Sequence, residues 1–397
     1  MKFIRVKYGK EKSILHHHPW VFKSAFEETS LFELDKDIIP GEIVEIQDYK
    51  GSFLAFAYYN PDSNIRARIL EWNKEICIDR NWWKKKIEIA IKNRSFINNT
   101  NALRLIYAEA DGLPGLIVDR YGDYLVLQAL TAGIDLIKME IAEILDELIS
   151  PVAIYEKSDA DVRSLEGLHS VKGIISGRDF PEEIIVNENG IKYYVNVKEG
   201  QKTGFYTDQR KNRLIAGKYC EEMDVLDCFC YTGGFTLNAL NNNAKSVVSI
   251  DSSSIALNFL KRNIELNRLP FEKCELIEGD AFVALRKFRD IGRKFDIVIL
   301  DPPKLAPTHL HKDKALRAYK DINLLALKLI KPGGFLISFS CSGGISIEDF
   351  KLMISWAGID AHREVQVLHT LHQSPDHPIL LSYPESEYLK GIIGRVI

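Results

Sequence analysis

The chain places a cysteine and a carboxylate directly after two apolar segments. FLISFSCSGG, residues 335–344, is apolar until Ser340 and then reaches Cys341 and two glycines. FDIVILDPPK, residues 295–304, reaches Asp301, which two prolines follow. A free cysteine is usually a small apolar filler, but its thiolate is also a nucleophile. If the two segments are neighbouring strands, Cys341 and Asp301 converge on one cavity, where the carboxylate could accept a hydrogen bond from an amino or ring N–H group of a planar substrate.

Three further acids follow apolar segments earlier in the same region. Asp227 opens the loop DCFCYTGGF, and Asp251 comes about two dozen residues later, a separation at which a carboxylate can bind both hydroxyls of a ribose. Asp280, in EGD, is placed to accept from the amino group of an adenine. Any one of the three could instead be a helix N-cap. Together with the glycines Gly233 and Gly234, which let a ligand approach the backbone, they favour a nucleoside pocket.

The glycine pattern excludes two common nucleotide sites. The loop is not G-x-G-x-x-G, which argues against a standard dinucleotide fold, and it is not G-x-x-x-x-G-K-[ST], which excludes a P-loop. The six cysteines include no C-x-x-C pair, and His16–His18 lacks an acidic or cysteine partner nearby in sequence, so we predict reduced thiols and no metal site.

The elements that must position these residues alternate regularly after residue 200. Apolar strands ending at Asp227, Asp251, Asp280, Asp301 and Cys341 alternate with helices beginning near 235, 253, 281, 313 and 347. Continuous apolar strands between helices predict an α/β, doubly wound parallel sheet, in which ligands bind beyond the carboxyl ends of the strands.

The first half of the chain has a different pattern. Residues 1–72 alternate in short apolar runs separated by turns, which predicts a β-rich module, and residues 73–185 mix helices and strands. EIIVNENGIKYYVNV predicts a hairpin that turns at 187–190. We therefore expect three domains: 1–72, 73–185 and 186–397, the last being the hairpin with the α/β sheet.

Composition limits the class of protein. With 46% hydrophobic and 27% charged residues in 397, the chain is typical of a globular protein of several domains. The first twenty residues lack the apolar run of a signal peptide, and no segment has about 18 uninterrupted apolar residues, so we expect a cytoplasmic protein without a membrane span. A net charge of −3 gives no global reason for a polyanionic partner, but 304–320 and 210–213 are locally basic.

These motifs resemble a known family. VLDCFCYTGGF, Asp251, EGD, LDPPK and SFSCSG resemble class I S-adenosylmethionine-dependent methyltransferases, and in detail the large-subunit ribosomal RNA methyltransferase I family, which makes 5-methylcytosine. HPWVF and the β-rich start resemble its PUA domain, AEADGLPGLIVDRYGD its middle domain. EGQKTGFYTDQRKNR and DHPILLSYPESEYLKG are further long stretches typical of the family.

The resemblance implies a cofactor, a partner and roles for individual residues. The cofactor is S-adenosyl-L-methionine and the partner is large-subunit ribosomal RNA, bound in part by the PUA domain and the basic segment 304–320; a homodimer is possible. Cys341 is the nucleophile and Asp301 holds the base, with Lys304 nearby to favour the thiolate. The implied cofactor-binding residues are Tyr206, Gln209, Arg210, Asp227, Phe229, Tyr231, Gly233, Gly234, Asp251, Asp280, Ala281 and Asp301.

Other functions stay open at this point. Asp301-Pro302-Pro303 also resembles the motif of amino-nitrogen methyltransferases, although those have an aromatic residue at Lys304 and need no cysteine. The 5-methyluridine enzymes share the Ser-Cys but carry a C-terminal stretch that is absent from this sequence. A third alternative, from another class, is a ribosome-assembly factor that binds the cofactor without catalysis.

Overall fold

The computed structural model describes residues 1–305 and 312–397, which form two compact units. Unit 1 contains residues 1–186, 195–207 and 375–386, and unit 2 contains residues 187–194, 208–374 and 387–397. No helix in these described ranges is both long and apolar enough to cross a bilayer. The three-domain division expected from the sequence stays a prediction.

Unit 1 begins with a five-stranded sheet that is mostly antiparallel. Its strands are β1 (Phe3–Arg5), β2 (Trp20–Val21), β3 (Ile43–Gln47), β4 (Phe53–Tyr59) and β5 (Ala67–Glu71), with two short helices, α1 (Lys12–Leu15) and α2 (Glu28–Leu34). The order is β1-β3-β4-β5-β2, and only β1 and β3 run parallel. Alternate residues such as Val44 and Ile46 point into a core that Tyr59 completes, as the alternating pattern predicts.

A second five-stranded sheet in unit 1 carries two helices. Its strands are β6 (Ala102–Tyr107), β7 (Leu116–Tyr121), β8 (Tyr124–Ala129), β9 (Ala153–Ser158) and β10 (Val171–Gly177), in the order β10-β9-β8-β7-β6, and its helices are α3 (Arg80–Lys92) and α4 (Ala132–Ile149). The buried Arg68 of β5 bonds Glu109 at 2.7 Å and Glu166 at 3.0 Å, so an ion triad links the first sheet to the second.

A hairpin follows, as the sequence predicts. Its strands are β11 (Ile184–Glu188) and β12 (Ile191–Val195). Asn189 and Gly190 join them with φ of 52° and 88°, the left-handed conformation that an Asn-Gly turn supplies at low steric cost.

Unit 2 is built on a seven-stranded sheet. Its strands are β13 (Asp224–Cys228), β14 (Ser246–Asp251), β15 (Cys274–Glu278), β16 (Phe295–Leu300), β17 (Ile330–Ser340), β18 (Val365–His372) and β19 (Lys390–Val396). The order is β15-β14-β13-β16-β17-β19-β18. The first five are parallel, and the central residues of β13, β14, β16 and β17 are almost completely buried because the helices of unit 2 cover the sheet, whereas β15, at the edge, is partly exposed. Those helices are α5 (Arg210–Gly217), α6 (Gly234–Asn241), α7 (Ser254–Leu266), α8 (Ala281–Asp290), α9 (Lys312–Leu329) and α10 (Ile347–Ala361).

The predicted doubly wound sheet is confirmed, with one omission. The strand order reverses between β13 and β16, and β16 pairs in parallel with β17, so the strands that end at Asp301 and Cys341 are neighbours. The sequence did not predict β18 and β19, which run antiparallel to their partners. β18 follows α10 directly but is largely exposed, so its sequence lacks the apolar run that marked the other strands, and β19 follows β18 without an α-helix between them.

A buried ion pair attaches the hairpin turn to α5 within unit 2. The Arg213 guanidinium donates from Nε at 2.7 Å and from Nη2 at 2.6 Å to the two carboxylate oxygens of Glu188, and both side chains are almost fully buried. Of the three cations in the basic cluster 210–213, Arg210 and Arg213 are therefore buried and only Lys211 is exposed.

Replacing Arg213 with leucine should destabilise the protein strongly. The substitution leaves the Glu188 carboxylate buried without its counter-charge, which typically costs about 3–5 kcal/mol. We expect the double variant R213L/E188L to regain much of the lost free energy of unfolding, measured by urea denaturation. A double variant as unstable as R213L would show that the charge pairing is not the cause.

Candidate active site

The loop after β13 turns sharply beneath the start of α6. Phe229, Tyr231 and Gly233 have φ of 63°, 48° and 89°, and such left-handed backbone is uncommon for residues other than glycine. The Cys230 amide donates to the Ile250 carbonyl of β14 at 3.0 Å. Two strained non-glycine residues in one loop are typical of a functional segment that its surroundings hold in place.

Asp251 joins this loop to the end of β14. Its carboxylate accepts from the Tyr231 amide at 2.8 Å and from the Ser253 amide at 2.9 Å, one on each oxygen. The side chain is half-buried, and each oxygen has a further lone pair. The geometry therefore suits the predicted contact with a ribose and also explains why an acid is needed to hold the loop.

Asp227 is the most deeply buried of the acids. Its Oδ2 accepts from the Thr236 hydroxyl at 2.7 Å, and its Oδ1 has no hydrogen-bond partner within the described parts of the chain. Burial, with smaller contributions from the carboxylates of Asp301 and Asp251, raises the pKa of Asp227 to about 7. An orphaned buried acceptor is uncommon, so a donor from a bound nucleoside, or a proton, fits this position.

Asp280 and Ala281 occupy the start of α8. The exposed Asp280 accepts from the Val283 amide at 2.9 Å and is the N-cap, and the buried Ala281 is the first helical residue. The capping interpretation that the sequence left open thus holds for Asp280. A contact with adenine stays a prediction for both residues.

Close packing around Gly233 and Gly234 leaves no space for a Cβ, which the sequence did not reveal. A Cβ on Gly233 would lie 2.1 Å from Cδ1 of Leu260 in α7, and a Cβ on Gly234 would lie 2.8 Å from Cδ of Arg213 in α5. Packing of α6 against α7 and α5 therefore requires glycine at both positions, whether or not a ligand approaches them.

Cys341 and Asp301 lie at the ends of adjacent strands. The register pairs Leu300 with Ser338, and the Cys341 Sγ is 4.0 Å from the Pro302 carbonyl oxygen. Both side chains are half-buried, whereas four of the six cysteines are buried and Cys77 lies on the surface of unit 1. The structure thus brings the predicted thiol and carboxylate together and leaves the thiol partly accessible.

The remaining predicted cofactor residues lie just before and within α5. Tyr206 belongs to unit 1, where its hydroxyl donates to Gln201 and the Lys202 ammonium lies 4.2 Å from its ring centroid. Gln209 and Arg210 belong to unit 2 and are buried, and Gln209 accepts from Asn212 at 2.6 Å. Contact of any of the three with a cofactor stays a prediction.

The basic segment 304–320 carries less free charge than its composition suggests. Lys312 pairs with Asp349 at 2.6 Å and Lys320 with Asp360 at 2.7 Å, both acids being in α10. Residues 306–311 of the segment lie outside the described residues. Lys304, Lys314 and Arg317 are exposed.

One residue near Cys341 received no role from the sequence. Lys390, the first residue of β19, is 3% exposed, and its ammonium donates to the Ser342 carbonyl at 2.9 Å. Only the pairing of β19 with β17 reveals this proximity, because 49 residues separate Cys341 and Lys390 along the chain.

Replacing Asp227 with asparagine should change how stability depends on pH. Burial raises the pKa of Asp227 to about 7 in the folded protein, against an ordinary value of 3.8. A raised pKa favours folding below the unfolded value, and that contribution is lost as the pH rises through 7. We therefore expect the unfolding free energy of the wild type to fall relative to that of D227N between about pH 4 and pH 7, by up to about 4 kcal/mol.

Urea unfolding of the cofactor-free protein across this pH range measures the effect. Asp280→Asn, an exposed cap for which asparagine is an equally good substitute, serves as the control. If the unfolding free energies of wild type and D227N differed by the same amount from pH 4 to pH 8, the raised pKa of Asp227 would be contradicted.

Comparison with known proteins agrees with this geometry. A family model described as a PUA-like domain matches residues 4–72, and one described as an S-adenosylmethionine-dependent methyltransferase matches residues 169–385. The predicted PUA-like and methyltransferase folds and the S-adenosylmethionine cofactor are thereby confirmed.

Solved structures show the same fold. A Streptococcus mutans protein described as a SAM-dependent methyltransferase has a TM-score of 0.84 at 20% identity, covering 100% of both chains. A methyltransferase solved in complex with S-adenosylhomocysteine has a TM-score of 0.86 at the same identity and coverage.

Curated relatives match along nearly the whole chain. The protein named ribosomal RNA large subunit methyltransferase I from Tolumonas auensis is 43% identical over 398 residues, which is 99% of each chain, and the protein of that name from Erwinia tasmaniensis is 41% identical over 392 residues, which is 98% of each chain. With this identity over this length, the chain belongs to the ribosomal RNA large subunit methyltransferase I family of S-adenosylmethionine-dependent methyltransferases.

Proposed function

We propose that this protein methylates carbon 5 of a cytidine in large-subunit ribosomal RNA through a covalent adduct with Cys341. The observation that carries the proposal is the half-buried thiol beside the loop of Asp301, at the ends of two adjacent parallel strands. The names of the relatives support ribosomal RNA as the substrate.

The loop after β13 and its neighbours would hold the cofactor. Asp251 would accept from the ribose hydroxyls, and the orphaned oxygen of Asp227 would receive a donor in the same pocket. Phe229, Tyr231, Gly233 and Gly234 would line the loop, Asp280 and Ala281 would face the adenine, and Gln209 and Arg210 would complete the site. Bound S-adenosylmethionine supplies an electrophilic methyl group.

Cys341 is needed because carbon 5 of cytosine is a poor nucleophile. Addition of the thiolate to carbon 6 makes the ring an enamine, whose carbon 5 would form the new bond to the methyl group as the bond from that group to the sulfonium sulfur breaks. Asp301 would hold the exocyclic amine and N3, with one proton shared at N3, and so stabilise the adduct. A base then removes the proton from carbon 5, the bond from sulfur to carbon 6 breaks, and the thiolate and the aromatic ring are restored.

Release of the product would differ from that of enzymes with a second cysteine. Many RNA cytosine methyltransferases have a second cysteine directly after the proline of the segment that reads Asp301-Pro302-Pro303 in this chain. Here that position is occupied by the exposed Pro303. Another base or water would therefore assist release.

The RNA must present an accessible base. A base inside a helix cannot reach a thiol at a strand end, so the target would be single-stranded or flipped, at a cost of a few kcal/mol. The PUA-like domain and the exposed Lys304, Lys314 and Arg317 would bind backbone and shape rather than base edges.

Replacing Cys341 with serine should abolish methylation and preserve cofactor binding. The serine hydroxyl is much less acidic than the cysteine thiol and is a far weaker nucleophile. We therefore expect turnover to fall by about three orders of magnitude or more, with an unchanged Kd for S-adenosylhomocysteine. The assay uses labelled S-adenosylmethionine with ribosomal RNA, both deproteinised and assembled, and identifies the methylated nucleoside by mass spectrometry. Cys77→Ser, at an exposed cysteine of unit 1, is the matched control.

Three outcomes would overturn parts of this proposal. Full turnover by C341S would remove the thiol from the mechanism and favour nitrogen methylation through Asp301. A product other than 5-methylcytidine would replace the proposed target atom. Tight cofactor binding without transfer to any ribosomal RNA would favour an assembly factor.

Replacing Asp251 with asparagine should weaken cofactor binding. The amide nitrogen cannot accept from the Tyr231 or Ser253 amide, and it offers the ribose one acceptor fewer. We expect the Kd for S-adenosylhomocysteine, measured by calorimetry, to rise at least about tenfold, the effect of losing one charged hydrogen bond. Asp290→Asn, at the exposed end of α8, controls for charge, and equal Kd values for the two variants would refute the role of Asp251.

A further inference from the structure

Lys390 is a buried cation at the end of the strand that carries Cys341. In the antiparallel pairing of β17 with β19, Lys390 lies opposite Ser340, the residue that precedes Cys341. Its side chain extends past the end of β17, where Nζ donates to the Ser342 carbonyl at 2.9 Å. The lysine therefore contacts the backbone of the residue that immediately follows the thiol.

An ammonium at 3% exposure needs compensation. Moving a charge out of water is unfavourable unless an opposite charge or hydrogen bonds replace the lost hydration. One carbonyl supplies part of that compensation. Burial lowers the pKa of Lys390, and the negative charges of Glu387 and of the Cys341 thiolate oppose that lowering. A thiolate at position 341 and a protonated Lys390 thus favour each other.

Several other groups face this pair. Lys304, after β16, disfavours the charge on Lys390, and Asp301 lies on the same loop. The Tyr319 hydroxyl of α9 lies 3.1 Å from the Ser342 hydroxyl, and burial raises the pKa of Tyr319, to which the charge of Cys341 adds a smaller contribution. On β18, His372 lies opposite Lys390 and pairs with Glu387 at 2.9 Å. Among these groups Lys390 is the buried cation, and Lys304 is exposed, where solvent and salt screen its effect.

We propose that Lys390 activates and positions Cys341: its ammonium stabilises the thiolate, and its hydrogen bond to Ser342 fixes the backbone from which the sulfur projects. The thiol proton passes to solvent, and Lys390 keeps its own proton, so the two groups titrate as a coupled pair. The proposal rests on the proposed role of Cys341 as nucleophile and replaces Lys304, which the sequence favoured, as the activating cation.

The thiol titration of Cys341 tests this without RNA or turnover. The purified protein is alkylated with iodoacetamide from pH 5.5 to 10, and the modification of the peptide containing Cys341 is followed by mass spectrometry, which separates it from Cys77. The variants are K390M, K390R and K304M, with K351M, at an exposed position of α10, as the control. Thermal unfolding and binding of S-adenosylhomocysteine establish that each variant is folded.

We expect a wild-type midpoint below the ordinary cysteine value of about 8.5. K390M should raise the midpoint by about one unit, which slows alkylation at pH 7 by about tenfold, whereas K390R and K351M should keep it near the wild-type value. The shift with K304M should be smaller than that with K390M. In the methylation assay, K390M should lose activity at pH 7 and regain part of it at pH 9, which a merely structural defect would not produce.

Two results would overturn the proposal. One is the same midpoint in wild type and folded K390M. The other is a wild-type midpoint at or above about 8.5, which decides the matter even if K390M does not fold. Failure of the proposed function would give a different result from failure of this inference. Full methylation by C341S would show that the thiol is not catalytic, but the titration of Cys341 in the wild type, and the effect of Lys390 on that titration, would be unchanged.

Discussion

Parallel pairing of β13, β16 and β17 is the constraint on which the rest of the site depends. These three strands share one direction and lie side by side, so the residues that follow them meet at the same edge of the sheet. The order reverses between β13 and β16, which opens the crevice where ligands bind in such sheets. Asp227, Asp301 and Cys341 come from distant parts of the sequence, and this pairing alone places them together.

Burial at this edge gives the ionisable groups unusual properties. Asp227 is enclosed near two other carboxylates, so its neutral form is favoured, while the buried Lys390 beside Cys341 brings a positive charge to the opposite end of the crevice. Acids thus gather at the strands proposed to bind the nucleoside, and a cation lies near the cysteine proposed to act as a thiolate. Because water is largely excluded, each of these interactions is stronger than it would be on the surface.

Several charges of the basic runs are paired with acids of the same unit. Arg213 is paired with Glu188, and Lys312 and Lys320 are paired with acids of α10. A basic run in a sequence cannot show its partners, since the acids that neutralise it lie on other elements. The exposed Lys304, Lys314 and Arg317 stay available for a polyanion.

The sequence by itself determined the five parallel strands, the helices between them, the Asn-Gly hairpin and the family, because apolar runs, turn residues and motifs are local signals. It also predicted that Cys341 and Asp301 lie at the site, since both residues directly follow such apolar runs. Tertiary structure alone decided that Asp280 is a cap, that Gly233 and Gly234 are needed for helix packing, that β18 and β19 complete the sheet, and that Lys390 lies beside Cys341. Each of these depends on which distant segments meet, and a local pattern carries no record of its neighbours in space.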